Sequence, residues 1–510
     1  MKSSQQIKQE LYARVFEQVQ NHHSSQDLEV KKLERKMQNL SRRPWQRMNS
    51  KSFDRRLSEA QVVFWADFHG VRQYPRNLLR HLENQKPEFF LNGFVLGLEC
   101  LPISKQKWID EFLNHQISEE EFLEKVEWKE NWGFPWEHYR PLVLMAKQSG
   151  FRVLALNKTG PNTSLSLREK AASQILQNEA KKNPQARIWV LFGEFHLLPG
   201  GFPKFWKERS RTEFILQNFD DLYFKLPPKN HNSSAEFLRL GNEYLCVQAV
   251  APWIKWQSYL LFLETQAEFE LDEGIEVSDH LFDVAKAMAN EMQWKCLPQW
   301  FHAYRAEDHV LWQKMKAENS QTKKLFERFV QEQLSFTSFS HSWSYLSRLS
   351  SNEVGALAFL ILWHYNCSHL SWPADSRLSR ESWLQLTWIF AWSYFGSKLH
   401  NPHRRTPSLL DIQAQAKKAS RPFERQAARL VIHLTLQEQT GRVSNIFEGT
   451  PSDRVRFLGL TWRAGLLGEK IYSAYREGKI NQKSLKLFLS KKPGTKHFFE
   501  VWQSLEELIS

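Results

Sequence analysis

The sequence predicts an α/β protein: a largely parallel sheet with crossover helices and a duplicated strand-[GA][DE]FH unit, followed by an all-α C-terminal domain. Three observations carry this. Between Pro44 and Pro252 short apolar runs alternate with segments of helical period, the pattern of βαβ units. QVVFWADFH at 61–69 and IWVLFGEFH at 188–196 each run a strand-like segment into a small residue, a carboxylate, Phe and His. Beyond Gln266 the pattern turns to long helical periodicity with few strand signals.

Taken in order, residues 5–40 place Ile7, Leu11, Val15 and Val19 on one stripe, then Leu33, Met37 and Leu40, which predicts an amphipathic arm docked on its own protein. SRRPW around Pro44 marks its end. VVFW is the first strand, RNLLRHLENQ a helix, and FVLGLE at 94–99 the second strand. Ser104 opens a helix carrying Trp108, Ile109, Phe112 and Leu113, and Ser118 to Glu121 has the capping-box pattern. The helix over 137–150 closes on glycine before the strand FRVLALN. Ser166 to Glu169 repeats the capping pattern ahead of AASQILQNEA, RIWVLF is the fourth strand, and EFILQN and EYLCVQAV complete the sheet. HLFDVAKAMANEM, KKLFERFVQEQL, SWLQLTWIFAWSYF and RQAARLVIHLTLQ are the helices of the second half, with NPHRRTPS as its clearest break. The expected division is a helical arm at 1–44, an α/β domain at 45–268 and a helical domain at 269–510.

Composition narrows the function classes. A chain of 510 residues exceeds one compact core, and 42% hydrophobic with 14% aromatic content marks it as globular. Lys plus Arg exceed Asp plus Glu by 69 to 56, a charge of +13 that suits acidic partners such as nucleic acid, anionic lipid or a propionate-bearing ligand. The excess is spread along the chain, without a zinc finger, a basic region leading into heptads or an RNA-binding aromatic signature, so no specific nucleic-acid partner is expected. Cys100, Cys246, Cys296 and Cys367 lie far apart, which argues against a disulfide framework or thiolate zinc site and for a reduced compartment. MKSSQQIKQELYARVFEQVQ has neither the apolar core of a secretory signal nor a lipid-anchor cysteine, so a cytoplasmic location is expected. GALAFLILW and the stretch from Trp383 to Phe395 are too short or too interrupted to span a bilayer and read as buried helices.

The motifs carry the chemistry. Side chains two apart on a strand share a face, so Asp67 and His69 are expected to point together, as are Glu194 and His196. Glu99 and Asn157 end two further strands. If those strands are neighbours, all six side chains meet at one edge, where open α/β sheets build ligand crevices. The set His69, Glu99, Glu194 and His196 suits a divalent metal ion that acidifies a bound water. Without metal, a carboxylate orienting an imidazole gives a general base. A lone motif of this kind more often caps a helix or pairs with arginine; two matching motifs plus Glu99 favour a site.

ADFHGVRQYPRNLL, FVLGLECLPISKQKWIDEFL, WGFPWEHYRPLVLMAKQSGFRVLALN and LFGEFHLLPGG, in this order and spacing, resemble the ChaN-like haem-binding family. That family belongs to a superfamily with erythromycin esterases and metal-dependent Tiki proteases, whose duplicated G[DE]xH motifs face one cleft. Looser similarity in LQNFDDLYFKL, PWIKWQSYL and GLLGEKIYSAYREGKI points to longer bacterial members with a helical C-terminal region. The resemblance implies an α/β domain whose cleft binds haem or a metal. It maps the first motif onto Ala66, Asp67, Phe68 and His69, the strand-end acid onto Glu99, and the second motif onto Gly193, Glu194, Phe195 and His196. The aromatic segment between them maps onto Trp132, Trp136, His138 and Tyr139. Ala66 departs from the motif's glycine, which matters if that turn needs positive φ, and the lipoprotein signal of haem-uptake members is absent.

Haem needs an axial ligand in an apolar pocket, and His196, His69, His138 and Tyr139 are candidates. Absence of CxxCH excludes covalent c-type attachment. In the helical half, His364 and Cys367 share a helix face, but LAFLILWHYNCSHL reads as a buried helix end, and Arg404 with Arg405 as solvated loop charge. There is no Walker loop, nucleophile elbow or HExxH. Three readings follow: a haem- or iron-binding protein, a metal-dependent hydrolase on the same Asp/Glu/His set, or a non-catalytic scaffold.

Overall fold

The computed structural model describes residues 2–22, 28–160, 163–207, 210–226, 235–264, 276–367, 370–373, 380–419, 421–440, 452–490, 504–505 and 507–508. Two compact units emerge, 15–263 and 1–14 together with 264–510.

The strands of the first unit are β1 (Gln46–Met48), β2 (Val62–Asp67), β3 (Phe94–Pro102), β4 (Arg152–Asn157), β5 (Arg187–Gly193), β6 (Thr212–Gln217), β7 (Glu236–Leu240) and β8 (Tyr244–Gln248). They form one sheet in the order β1-β7-β8-β6-β2-β5-β3-β4. The run from β4 to β8 is parallel, whereas β7 and β1 pair antiparallel at the edge. Parallel strands are covered on both faces, which is why their sequences read as continuous apolar runs. Val63, Trp65, Leu96, Leu98, Trp189 and Leu191 pack with the helix Trp136–Gln148 on one side. Phe64, Val190 and Phe192 pack with Ala172 and Leu176 of the helix Leu165–Lys182 on the other. The edge strands β1 and β7 are short and carry charged, partly exposed positions, so they give no comparable signal.

Register decides how the two motifs relate. β2 and β5 pair from Val62↔Ile188 to Asp67↔Gly193, so the motifs lie side by side but one residue out of step. Ala66 sits within β2, opposite Phe192, in extended backbone where a Cβ carries no steric cost. The expected difficulty at this position does not arise. At Ser118 the expected N-cap forms, its hydroxyl accepting from Glu121 N–H. The next helix caps earlier than the sequence pattern indicates: Ser164, at φ −70° and ψ 158°, accepts from Leu167 N–H, and Glu169 is left free of any capping duty. The N-terminal stripe Ile7, Leu11, Val15 and Val19 is buried, on the helix Ser4–His22, and a second helix covers Leu28–Ser41.

The C-terminal unit is helical, but not entirely. Between its helices lie β9 (Ala303–Tyr304), β10 (Phe336–Ser338) and β11 (Trp343–Tyr345), ordered β10-β11-β9. Strands of two or three residues are too short to show an alternation, which is why an all-α reading passes over them. GALAFLILW and the stretch from Trp383 lie in the helices Ser351–Asn366 and Arg380–His400 and are buried there. Among the described residues no helix is long and apolar enough to cross a membrane. His364 accepts from Leu370 N–H and stacks on Phe339, a packing role, while His369 lies outside the described residues. Arg404 is not a solvated loop charge: it donates to Ser397 Oγ at 2.6 Å and lies over the Tyr394 ring.

The two long apolar helices meet at Gly396, where a Cβ would stand 2.1 Å from Phe359 Cβ. Gly396→Ala is therefore expected to destabilise the helical unit by about 1–3 kcal/mol or more through overpacking. A drop in urea midpoint at unchanged m-value checks it.

Candidate functional site

β2 ends on Asp67, and the chain leaves the sheet through His69 and Gly70, the latter at φ +84° with Phe262 and Tyr259 close by. The Asp67 carboxylate Oδ2 lies 2.9 Å from His69 Nδ1 and accepts from the Tyr139 hydroxyl at 2.8 Å. Burial, then Asp67, pushes the Tyr139 phenol well above its usual range, so it remains a donor. Tyr139 thus orients Asp67, and Asp67 orients His69. The His69 ring meets Trp132 edge-on at 4.5 Å and Phe134 at 5.3 Å.

β5 ends on Gly193 and passes into a tight 3₁₀ turn, Glu194–Leu197. With three residues per turn, positions two apart no longer share a face, so Glu194 and His196 diverge instead of pairing as a strand would have them. His196 Nδ1 is held instead by Glu169 Oε1 at 2.9 Å, from the helix Leu165–Lys182. Its Nε2 lies 3.3 Å from Glu99 Oε1, while His69 Nε2 lies 3.8 Å from Glu99 Oε2. Gly193 N–H donates to that same Oε2. One carboxylate from β3 therefore stands between two imidazoles, each held from behind by its own carboxylate.

Gly193 has φ −50°, so its want of a side chain matters for space and not for backbone freedom. A Cβ there would come within 3.0 Å of both Glu99 Oε2 and His69 Nε2 and within 3.3 Å of His196 Cδ2. The glycine keeps the point where the three groups converge clear.

Electrostatics follows from burial and pairing. Burial works against the charge on Glu99, but His196, His69 and the Gly193 N–H outweigh it and hold the acid at about 2. Burial likewise opposes protonation of His196, yet Glu99 and Glu169 raise it to about 9. His69 is raised as Asp67 and Glu99 overcome its burial. In the ligand-free protein at neutral pH, Glu99 is a carboxylate facing an imidazolium.

Glu194 has a different neighbourhood. Burial pushes it up to about 7, with Lys255 opposing and Asp220 reinforcing that rise. The Lys255 ammonium lies 2.5 Å from Asp220 Oδ1 and donates to the Asn218 carbonyl at 3.2 Å. No ion pair joins Glu194 to either imidazole among the described residues. Nor do three His, Cys, Asp or Glu side chains there stand ready to hold a bare metal ion. Glu194 nonetheless feels the cluster, Asp67 raising and His69 lowering it after Lys255 and Asp220.

The remaining candidates are placed as follows. Asn157 ends β4, and its Oδ1 is buried without a hydrogen-bond partner, as is Asp67 Oδ1. Trp136 donates to Glu119 and packs on Trp128, which makes it core; Trp132 is the tryptophan at His69. His138 is pushed down to about 3 by burial, Arg72 and Arg76, and is a neutral imidazole apart from the Glu99 cluster. Two participants were not singled out from sequence. Glu169 belongs to the buried stripe of its helix with Ala172, Ser173 and Leu176, and an acid on an apolar stripe was its available signal. Lys255, set in the apolar run PWIKWQSYL, carries the same signal.

In metalloproteins a histidine whose ring nitrogen is fixed by a carboxylate presents its other nitrogen to the metal. Here both imidazoles are so fixed and both present Nε2 toward Glu99. A family model described as haem-binding uptake, Tiki superfamily, ChaN matches residues 54–188. No curated protein matches the chain. Among solved structures it is similar to ChaN of Campylobacter jejuni, described with cofacial heme binding, at 15% identity over 34% of this chain and 88% of that one, with a TM-score of 0.26. It is also similar to the type III effector HopBA1, at 13% identity over 38% of this chain and 90% of that one, with a TM-score of 0.28. The family match holds Asp67, His69, Glu99, Tyr139 and Glu169, so over residues 54–188 the chain is similar to the ChaN-like family of the Tiki superfamily.

Proposed function

We propose that the strand-end crevice binds haem, with His69 as the leading axial ligand and His196 as the second imidazole. The observation that supports this most is the pair of imidazoles with Nδ1 tied to Asp67 and Glu169 and Nε2 directed to one point. His69 is the more open of the two, its side chain 26% exposed against 9% for His196. Trp132 and Phe134 offer it an aromatic wall, and Asp67 Oδ1 and Asn157 Oδ1 are buried polar atoms without partners. These residues fit haem, which supplies an iron centre for a neutral imidazole and an apolar macrocycle for the aromatic wall. The chain's own work is to hold each imidazole in one tautomer and to let its Nε2 proton pass to solvent as the ligand enters.

Hemin titration of the full chain is expected to give a Soret band. His69→Ala should abolish or shift it, and Asp67→Asn, which only loosens the ring, should weaken binding roughly 10–100-fold. Gly193→Ala, whose Cβ would crowd Glu99 and His69, should block binding. A featureless titration, or equal affinity in all variants, would overturn the reading.

One observation favours a second reading, a metal-dependent hydrolase. Glu194, held at about 7, is matched to general-base duty at neutral pH. In that case Glu99 exchanges its imidazole contacts for a divalent ion, and elemental analysis of purified protein finds Mn or Zn that is lost in Glu99→Gln. Neither haem nor metal on the protein would leave a non-catalytic scaffold.

A further inference from the structure

We propose a second ligand site, at the amino ends of β2 and β6 and so at the opposite edge of the sheet from the histidines, that binds a compact polyphosphate. A cavity of about 560 Å³ opens there, between the helix Ser50–Glu59, the edge strands β1 and β7, and the start of β6. Small-molecule sites fall within roughly 300–1,000 Å³. Five arginines line it: Arg47, Arg55, Arg56, Arg211 and Arg239.

Two of them are committed to structure. Arg56 makes a two-pronged contact with Glu213 at 2.8 and 3.1 Å, and Arg47 another with Glu236 at 3.1 and 2.8 Å. The other three are not neutralised. Arg55 meets Glu59 only at 3.9 Å with both side chains largely exposed, a pair worth little in water. Arg239 donates to Gln46, which is uncharged. Arg211 has no carboxylate partner among the described residues, and its charge, after burial, lowers the neighbouring Arg187 guanidinium. Like charges gathered in one concave site cost stability unless an anion joins them. Glu59 also lines the cavity and offsets one of these charges, but guanidinium forks match phosphate oxygens two at a time, and three forks offer more donor pairs than the four oxygens of one orthophosphate can meet. Two or more linked phosphates are the ligand that engages all three.

The site is independent of the haem reading, and its test is too. The full chain is titrated calorimetrically with pyrophosphate, tripolyphosphate, orthophosphate and citrate at low salt. Pyrophosphate and tripolyphosphate are expected to bind tighter than orthophosphate, with affinity falling as salt is added. The double variant Arg55→Gln/Arg211→Gln is expected to bind at least about tenfold more weakly, since each lost fork removes a charge-assisted pair. Both side chains are exposed, so the fold should survive, and an unchanged thermal midpoint without ligand confirms it. Arg55→Lys/Arg211→Lys keeps charge without the fork and should fall between. His69→Ala should leave this binding unaltered. Absence of binding at millimolar pyrophosphate, citrate binding as tightly as pyrophosphate, or an unaffected double variant would each overturn the assignment.

Discussion

Glu99→Gln is expected to destabilise the ligand-free protein by about 3 kcal/mol at pH 6, and by less at pH 9. The size comes mainly from the Glu99–His196 pair, with His69 and the Gly193 N–H also supporting Glu99 and Glu169 also supporting His196. Glu99 is held at about 2 against an ordinary 4.5, and His196 at about 9 against an ordinary 6.5. A displacement of that size corresponds to about 3 kcal/mol, counted once because it is the same pair. The sign follows from each partner. The acid's pKa is depressed, so its contribution is present above 4.5 and is lost as pH falls toward 2. The imidazole's pKa is raised, so its contribution is complete below 6.5 and is lost as pH rises through about 9. Wild-type stability from this pair therefore peaks between those two ordinary values. Glutamine also replaces one of the two acceptor oxygens with an NH2 donor, so one of the groups facing Glu99 loses its acceptor, a cost typical of breaking a buried pair. Urea melts of both proteins at pH 6 and pH 9 measure the difference, and an equal gap at both values would show that charge is not what Glu99 contributes.

How much of this arrangement could be read from sequence depends on how locally each part is determined. Asp67 and His69 meet because two residues at a strand end keep the strand's alternation long enough, a property of six residues of chain. Asn157 ends β4 as its apolar run indicates, but β3 does not stop at Glu99: it runs on to Pro102 through a register shift after Leu98, because the apolar Cys100 and Leu101 continue the buried strand beyond the acid. The second motif looks identical but folds differently, because its strand stops at Gly193, one register step before the acid. That step depends on the pairing of β2 with β5, which no local pattern contains. From sequence Glu169 reads as the acid of a capping box, because Ser166 stands three residues before it. The helix actually starts at Ser164, and the difference frees the acid to face His196. In the helical half, the apolar periodicity is strong where helices are buried all round, and it has nothing to say about strands as short as Ala303–Tyr304. Long elements with one repeated environment are legible; contacts between elements are not.

Lys255→Met is expected to cost about 3–5 kcal/mol at pH 8 and distinctly less at pH 5. Its ammonium is buried, with a side chain 7% exposed, paired with Asp220 at 2.5 Å and lying over the Trp256 ring. Removing one partner of a buried pair leaves the other charged and unsolvated, the costly half of the exchange. Glu194 magnifies this. It already stands at about 7 against an ordinary 4.5, with Lys255 the main group drawing it down, so losing the cation sends it higher. For an acid whose folded pKa is raised, stability is intact below the ordinary value and falls as pH rises through the folded one. The deficit of the variant must therefore grow between pH 5 and pH 8, where wild-type Glu194 ionises against Lys255 and the variant's must ionise against nothing. Adding Glu194→Gln to Lys255→Met removes that charge and should recover the alkaline part of the loss while leaving the part due to Asp220. A deficit equal at both pH values, unmoved by Glu194→Gln, would mean that the lysine matters through its stem packed on Trp256, and that Glu194 does not sense it.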